Sequence, residues 1–217
     1  MVETACLFQQ CCIRHNSLVQ ASKGTTIVMP EQRVSYVYHL HQGIVGYFRT
    51  SDKGREVVDY FIVPPHFIGL AGFAGMDRRD PVFHLAEARA ITPVLYCKTK
   101  REAVWDLLDD RKSRSQIMDM ICGTVYFMTA PAPLVSDLGP RVIAILDALA
   151  RSIGVTDPAG NIAIPGITHD DIAAMCKATR PTVSRVLERL EQRGIIVIGR
   201  RNIDVMKPLA LRHKRWS

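Results

Sequence analysis

The first hundred residues alternate between short apolar runs and turn residues. The runs are rich in β-branched and aromatic side chains, and between 23 and 99 they are TTIVM, SYVYHL, GIVGYFRT, EVVDYFIV and TPVLYC. Turn signals separate them at Pro30-Glu31, Gln42-Gly43 and Asp52-Lys53-Gly54. Strands spaced roughly ten residues apart with hairpin signals between them are typical of compact antiparallel folds. The pattern therefore predicts a small β-sandwich or β-roll.

The hydrophobic period lengthens to between three and four after residue 100. REAVWDLLDD and SRSQIMDMICGTVYFM predict two helices. One apolar stripe of the second helix consists of Ile117, Ile121, Val125 and Met128. Such a stripe fits two alternatives equally well, packing on the chain's own sheet or forming the interface of a dimer. Pro131 and Pro133 must end or kink this helix, which predicts a hinge at 129–139.

The C-terminal part has the pattern of three helices and a hairpin. LGPRVIAILDALARSIG predicts a helix with Pro140 in its first turn, where proline is tolerated. Thr168 and Asp171 resemble a capping box before DIAAMC. Thr179 is a good N-cap for a helix whose apolar face carries Val183, Leu187 and Leu190. GIIVIGRRNIDVM then predicts two strands around a turn, so the whole reads as a winged helix-turn-helix.

The charge of the chain is concentrated in this C-terminal part. The net charge is +7. Residues 138–217 hold 13 Lys and Arg against 7 Asp and Glu, whereas residues 1–137 hold 15 against 14. A basic segment beside a nearly neutral one favours an acidic partner for the basic segment, most simply a nucleic-acid backbone.

Other classes of protein are disfavoured by the sequence. The start MVETACLFQQ lacks the basic region of a secretory signal, and Pro64, Pro65 and His66 interrupt the longest apolar stretch. The six cysteines follow no disulfide framework, which predicts free thiols in a reducing cytoplasm. No nucleophile, base and orienting group fall into a recognisable pattern, so we expect no enzymatic activity.

A family resemblance follows from the C-terminal motif. DIAAMCKATRPTVSRVLERLEQRGII resembles the helix-turn-helix of Crp/Fnr bacterial transcription regulators, and the segment from Ser22 to Phe73 resembles, more loosely, their cyclic-nucleotide-binding-type β-roll. The resemblance implies an α+β fold with an N-terminal β-roll sensor domain at 1–109, a dimerisation helix and hinge at 110–137, and a winged helix-turn-helix domain at 138–217. It also implies a cytoplasmic homodimer that binds palindromic double-stranded DNA, RNA polymerase and a small-molecule effector.

The resemblance places one face of the helix after Thr179 in the major groove. Arg180 and Arg185 suit bidentate contacts to guanine, and Thr179 and Thr182 suit phosphate. Pro181 stands where relatives carry a Glu that accepts from cytosine, so selectivity at that base pair should be loose or lean towards thymine. The full set of expected DNA-binding residues is Thr168, Lys177, Thr179, Arg180, Pro181, Thr182, Ser184, Arg185, Arg189, Arg200 and Arg201. A basic module that binds RNA or protein without sequence specificity is the alternative.

The expected effector pocket departs from that of the family's cyclic-AMP receptors. Leu70 stands in the position of their ribose-binding Glu, and Pro81 and Val82 fall near the positions of their phosphate-binding Arg-Ser pair. A buried phosphate needs a cation or a nest of N–H donors, so cyclic AMP is disfavoured. We expect an apolar or aromatic pocket formed by Phe67, Ile68, Gly69, Leu70, Ala71, Gly72, Phe73, Val82, Tyr126 and Phe127.

The resemblance raises two cofactors known in relatives, an iron–sulfur cluster and haem. An Fnr-type iron–sulfur cluster is disfavoured because the N-terminal cysteines Cys6, Cys11 and Cys12, with Cys97 further on, have the wrong spacing. Haem stays open as an alternative, since an apolar pocket with a spare imidazole is what it requires. The family's haem-ligating positions fall near Gly69 and Ala71, which cannot ligate. The remaining histidines are His66, His84 and the strand pair His39 and His41, which share one strand face.

Overall fold

The computed structural model describes residues 18–50, 54, 56–75, 79–129, 137–200 and 202–206. The chain divides into two compact units, 1–49 with 60–128 and 50–59 with 129–217. The fold is α+β, as the sequence predicts. No helix in the described part of the chain is both long and apolar enough to cross a membrane.

Two four-stranded sheets lie between residues 18 and 100, and all of their residues except 50 and 56–59 belong to the N-terminal unit. The first has the order β1-β8-β3-β6 and the second the order β2-β7-β4-β5. The strands are β1 Leu18–Ala21, β2 Thr26–Val28, β3 Tyr36–Gln42, β4 Val45–Thr50, β5 Glu56–Ile62, β6 Phe67–Ile68, β7 Glu87–Ala90 and β8 Val94–Lys100. The five apolar runs of the sequence correspond to β2, β3, β4, β5 and β8, so the strand pattern is confirmed.

Alternation along the strands creates two separate apolar clusters in this unit. Tyr38 and Leu40 of β3 point into an inner core together with Val45, Ile68 and Ala88. Residues of the opposite face form an outer cluster, defined by Val37, Phe67, Cys97, Val104 and Ile117. Because successive side chains of a strand point to opposite faces, Phe67 and Ile68 are divided between the two clusters.

Two helices cover the outer cluster. They are α1, Arg101–Leu107, and α2, Arg111–Thr129, with a 3₁₀ helix at Leu70–Phe73. Ile117 of α2 is completely buried in the outer cluster, and Ile121 packs against the same cluster. For these two residues the structure therefore selects packing on the chain's own sheet.

The C-terminal unit combines three helices with a small sheet. The helices are α3 Leu138–Ile153, α4 His169–Met175 and α5 Arg180–Gln192. The sheet has the order β11-β12-β10-β9, with β9 Val155–Thr156, β10 Ile162–Pro165, β11 Ile196–Ile198 and β12 Asn202–Val205. The sequence predicts the hairpin of β11 and β12 but not β9 and β10, which are too short to give a periodic signal.

Candidate functional site

The turn between α4 and α5 is a Schellman motif. The N–H of Lys177 donates to the carbonyl of Ala174 at 3.1 Å, and the N–H of Ala178 donates to the carbonyl of Ala173 at 3.0 Å. These two bonds close the C-terminal end of α4 and require a left-handed residue after the cap. Lys177 occupies that position with φ of 51°, a conformation that usually belongs to glycine. Its exposed side chain is held at the junction between the two helices.

Replacing Lys177 by glycine is expected to raise the free energy of unfolding of the C-terminal unit by about 1 kcal/mol, because the left-handed conformation costs roughly that much for a residue with a Cβ. Urea unfolding followed by circular dichroism measures the change. Lys177→Ala is the matched control, since it removes the same charge and keeps the strain. An equal gain in the alanine variant would show that charge and not backbone strain is responsible.

A capping box fixes the start of α4, as the sequence predicts. The hydroxyl of Thr168 accepts from the N–H of Asp171 at 3.2 Å, and the carboxylate of Asp171 accepts from the N–H of Thr168 at 3.0 Å. The Thr168 hydroxyl also donates to that carboxylate at 2.6 Å. The structure thus gives Thr168 a local role in starting the helix, in addition to the DNA contact expected of it.

Helix α5 presents a buried apolar row and an exposed polar face. The buried row consists of Val183, Val186, Leu187 and Leu190. The sequence pattern contains three of these residues, and Val186 is the addition. The exposed residues include Thr179, Arg180, Pro181, Thr182, Arg185 and Arg189. The unit therefore holds α5 by one side and leaves the cationic side accessible.

The first turn of α5 tolerates its proline without losing a hydrogen bond. Pro181 lies in that turn, and Thr179 is the N-cap by backbone geometry. The Thr179 side chain does not cap the helix, contrary to the expectation from the sequence, because its hydroxyl pairs with that of Thr182 at 2.7 Å. Both hydroxyls nevertheless stay exposed at the positive end of the helix.

Two contacts join α4 to the polar face of α5. Ser184 is half-buried, and its hydroxyl lies 2.9 Å from Nδ1 of His169. Arg180 Nε lies 3.7 Å from a carboxylate oxygen of Asp170, with both side chains mostly exposed. An exposed pair at this distance contributes little to stability, so a phosphate or a base can compete for Arg180.

The hairpin after α5 carries its cations at the turn. The N–H of Gly199 donates to the carbonyl of Asn202 at 2.9 Å, and a Cβ at Gly199 would lie 2.1 Å from the amide oxygen of Asn202. A residue with a Cβ at this position would therefore require the Asn202 side chain to move. Arg200 is exposed beside it. Arg201 lies outside the described residues.

The expected effector segment is held by its own backbone contacts. Gly69 has φ of 77°, and its N–H donates to the hydroxyl of Tyr47, which is stacked on Tyr60. Burial raises the pKa of Tyr47, so the phenol stays protonated and its lone pair accepts the bond. A Cβ at Gly72 would lie 2.4 Å from the side chain of Val37, so the 3₁₀ helix that contains Gly72 packs directly on β3.

Arg101 is a structural residue that the sequence analysis missed. Its side chain is only 4% exposed. The guanidinium donates to the carbonyls of Gly72 at 3.1 Å, Ala74 at 2.7 Å and Asp80 at 3.2 Å. It thereby ties the segment after Gly69 to the start of α1. An arginine at a strand–helix junction carries no periodic signal, so only the tertiary contacts reveal this role.

Most side chains of the expected pocket are packed against protein. Phe67, Ile68, Gly69 and Gly72 are buried, Leu70 and Phe73 pack on the outer cluster, and Ala71 and Val82 are half-buried. Tyr126 is 75% exposed, on the side of α2 away from the outer cluster, so within one chain it does not line this segment. The side chain of Phe127 lies outside the described residues.

The one arginine of this region that projects from β7 is already paired. Arg89 Nε lies 2.9 Å from Glu87, and its guanidinium stacks over Phe48 at 4.1 Å. Hydrogen bonds from Arg89 are the main reason why the pKa of Glu87 is lowered. A phosphate at this place would have to displace an acidic partner. Arg79 is exposed, and Arg78 lies outside the described residues.

Part of the exposed surface of α2 is apolar. We call Met118, Cys122, Val125 and Tyr126 the outer face of α2, since all four are exposed and recur at helical spacing. The predicted dimer stripe is corrected by this arrangement. Ile117 is buried in the core of the single chain, and Ile121 and Met128 are partly buried against the clusters. Val125, in contrast, is 44% exposed. The helical period divides the apolar residues between two sides of the helix.

The cysteines differ from the expectation of free thiols throughout. Cys97 is disulfide-bonded, and the other two described cysteines, Cys122 and Cys176, are free. Burial raises the pKa of the Cys176 thiol to about 12, which makes it unreactive. Cys6, Cys11 and Cys12 lie outside the described residues. A disulfide-bonded Cys97 offers no thiolate, so in this state it cannot serve as the distal ligand of an iron–sulfur cluster.

The histidines of the N-terminal unit lie mostly inside it. His39 is 2% exposed, and burial lowers its pKa to about 4. Burial also lowers the pKa of His41, His66 and His84. His84 lies against Gly69, and Nδ1 of His66 lies 3.5 Å from the hydroxyl of Thr124 in α2. The sequence places His39 and His41 on one strand face, and the structure adds Cys97 to them.

Each of the two units matches a known protein-family model. Residues 18–111 match the model of the cyclic nucleotide-binding domain, and residues 140–214 match that of the Crp-like helix-turn-helix domain. A global nitrogen regulator of Synechococcus elongatus is 28% identical over 88% of this chain and 86% of its own length. An anaerobic regulatory protein of Pasteurella multocida is 24% identical over 81% of this chain and 63% of its own length.

Solved structures have the same fold. FixK2 of Bradyrhizobium japonicum superposes with a TM-score of 0.71 at 22% identity, covering 90% of this chain and 95% of that one. TTHB099 of Thermus thermophilus, described as a CRP-family transcriptional regulator, also gives a TM-score of 0.71, at 20% identity over 89% and 94% of the two chains.

Proposed function

Because the chain belongs to the Crp/Fnr family of transcription regulators, we propose that it is an effector-controlled homodimer that binds a palindromic DNA site and acts on RNA polymerase. The observation that carries the proposal is the exposed cationic face of α5. Arg180 and Arg185 project from a helix whose other side is buried, directly after a rigid Schellman turn. A helix held in this way can enter the major groove as one rigid element.

The polar face supports a division between base and phosphate contacts. Arg180 and Arg185 present the fork that binds guanine O6 and N7. Thr179, Thr182 and the exposed Lys177 lie around the N-terminus of α5, where backbone N–H groups and cations favour phosphate. Pro181 offers only apolar contact, for example to a thymine methyl group. Ser184 is oriented by His169, so its hydroxyl reaches DNA only by sharing that hydrogen bond.

Dimerisation is supported by the outer face of α2. A row of exposed apolar residues along a 19-residue helix is costly in water unless another surface covers it. A second copy of the same helix provides a self-complementary partner, and the resulting two-fold axis matches a palindromic site. Val125 and Tyr126 are exposed and lie outside the two buried clusters, which supports a place for them in that interface.

The proposed effector is not cyclic AMP. Leu70 packs on the outer cluster, so position 70 offers no carboxylate for ribose, and the guanidinium of Arg89 is already paired with Glu87. Burying an uncompensated phosphate would be costly. The two relatives bear names that refer to nitrogen and to anaerobic control. A signal of metabolic or redox state is therefore the better-supported class.

A redox-sensing variant of the same function is supported by one specific observation. Cys97 is buried in the outer cluster beneath α2 and is disulfide-bonded. Haem is less well supported, because positions 69 and 71 are a glycine and an alanine and carry no ligating atom.

Replacing Arg185 by alanine is expected to cost about 1–3 kcal/mol of binding to the preferred DNA site and to relax selection at one base pair, because a bidentate contact to guanine is lost. Arg200→Ala is expected to weaken binding to all sequences alike and to lower the salt slope by about one, since it removes a phosphate contact. Half-site selection with each variant, followed by gel shifts at several salt concentrations, measures both effects.

Arg151→Ala is the control for this pair. Arg151 lies in the last turn of α3 and pairs with Asp147 at 2.7 Å within the same helix, so its removal should leave both selectivity and salt slope unchanged. The proposal is wrong about α5 if Arg185→Ala keeps full selectivity. A selected half-site that demands the cytosine contact of relatives with Glu at position 181 would contradict the role given to Pro181.

A further inference from the structure

Three side chains that can ligate a metal meet on the outer side of the first sheet. His39 and His41 project from the same face of β3, and β8 is paired so that Cys97 lies directly opposite His39. One nitrogen of each imidazole and the Sγ of Cys97 all lie within 4.8 Å of one another. His39 and Cys97 are buried, and His41 is half-buried. The pairing of β3 with β8 therefore holds the three side chains together, and all three belong to strands.

The hydrogen bonding of the two histidines points to a ligand. His39 Nε2 lies 3.0 Å from the carbonyl of Pro65, and since a carbonyl only accepts, the proton must be on Nε2. That tautomer puts the lone pair on Nδ1, and a second ring nitrogen bonded to a backbone carbonyl is the usual support of a metal-bound histidine. His41 Nε2 is buried and has no hydrogen-bond partner among the described residues. A buried polar atom in that situation requires an explanation.

Ring packing alone does not explain this arrangement. The imidazoles of His39 and His41 lie edge to face with centroids 4.7 Å apart, which is ordinary packing geometry for two rings. Packing alone, however, leaves His41 Nε2 without a partner at its own free-energy cost.

We propose that the reduced protein binds one zinc-like divalent cation through His39, His41 and Cys97, with a fourth position open to water, and that the disulfide at Cys97 excludes the ion. Two imidazoles and a thiolate form a borderline-soft set that suits zinc. Ligands of one tetrahedral zinc lie about 3.5 Å apart, so the three ligand atoms, which lie within 4.8 Å of one another, must move closer to close the site.

The redox step balances with a dithiol as the reductant. The dithiol gives two electrons and two protons to the Cys97 disulfide, yielding two thiols and its own disulfide. The Cys97 thiol then releases its proton when the sulfur binds the cation. Oxidation reverses the exchange and releases the ion. Metal occupancy thus reports the thiol state of one buried cysteine.

The site is connected to the dimerisation helix by short contacts. The carbonyl of Pro65 accepts from His39, and two residues later the N–H of Phe67 donates to the hydroxyl of Thr124 at 3.3 Å. The Thr124 hydroxyl donates in turn to the carbonyl of Met120 at 2.8 Å, within α2. A movement of the His39 side chain would therefore be transmitted through the segment from Pro65 to Phe67, which is hydrogen-bonded to α2. This coupling depends on the proposed regulatory function, but binding of the ion does not.

Cobalt titration of the metal-free full-length protein tests the site. Protein reduced with a dithiol and desalted without oxygen is expected to bind one equivalent of Co²⁺ with a thiolate charge-transfer absorption, and zinc should displace the cobalt. His41→Gln and Cys97→Ser should each weaken binding at least tenfold. The oxidised protein should bind none. Zinc should raise the melting temperature of the reduced wild type but not of His41→Gln, which also reports whether that variant is folded.

A variant without the cysteines at 6, 11 and 12 distinguishes this site from an all-cysteine one. Cys6→Ser, Cys11→Ser and Cys12→Ser together should leave cobalt binding intact. Loss of binding in that triple variant, unchanged binding in His41→Gln, or no binding by the reduced wild type would each overturn the site. None of these measurements contains DNA, so their failure leaves the proposed DNA-binding function untouched, and the reverse also holds.

Discussion

Val125→Glu is expected to convert the dimer into single chains and to lower the affinity for a palindromic DNA site by a factor of about 100 to 1,000. The two-fold axis would bring two carboxylates together in an apolar interface, where charges without partners are strongly unfavourable. Each chain would then bind one half-site alone and lose the gain from bivalent binding. Light scattering measures the mass, and gel shifts with full and half sites measure the affinity.

The structure makes Val125 a better choice for this test than Ile121. Val125 is exposed on the outer face of α2, so its replacement leaves the monomer core intact, whereas Ile121 packs on the outer cluster and a Glu there would also destabilise the monomer. Lys112→Glu is the control, since it adds negative charge at an exposed position about 140° around the same helix from Val125. A dimer that survives Val125→Glu would place the interface elsewhere.

Arg101→Ala is expected to lower the free energy of unfolding of the N-terminal unit by about 3 kcal/mol. The guanidinium makes three hydrogen bonds to backbone carbonyls from a position that is 4% exposed, and bonds to a charged donor contribute more than neutral ones. Its removal leaves the carbonyls of Gly72, Ala74 and Asp80 without this donor. Urea unfolding followed by tyrosine and tryptophan fluorescence measures the loss.

Two further variants make the result specific. Arg101→Lys keeps the charge but cannot reach three carbonyls at once, so it should recover only part of the stability. Lys100→Ala removes an exposed cation at the adjacent residue and should change stability by less than about 0.5 kcal/mol. A lysine variant as stable as the wild type would show that charge, and not the fork of hydrogen bonds, is what the segment requires.

The sequence by itself determined the helices and strands that depend on patterns within a few neighbouring residues. The winged helix-turn-helix could be predicted because the capping box of Thr168 and the apolar row of α5 each arise within a few residues. The strands of the N-terminal unit could be predicted for the same reason, since alternation and turn residues are properties of short segments.

Only the tertiary structure determined which residues each side chain contacts. The stripe of α2 looked uniform in sequence, yet Ile117 is buried and Val125 is exposed, because only the position of the sheet determines which side of the helix faces a core. Arg101 acquired its role from carbonyls 21 to 29 residues earlier in the chain. His39 and Cys97 are 58 positions apart and became neighbours through the register of β3 and β8. Contacts of this kind depend on the pairing of distant segments, and no periodicity along the chain encodes that pairing.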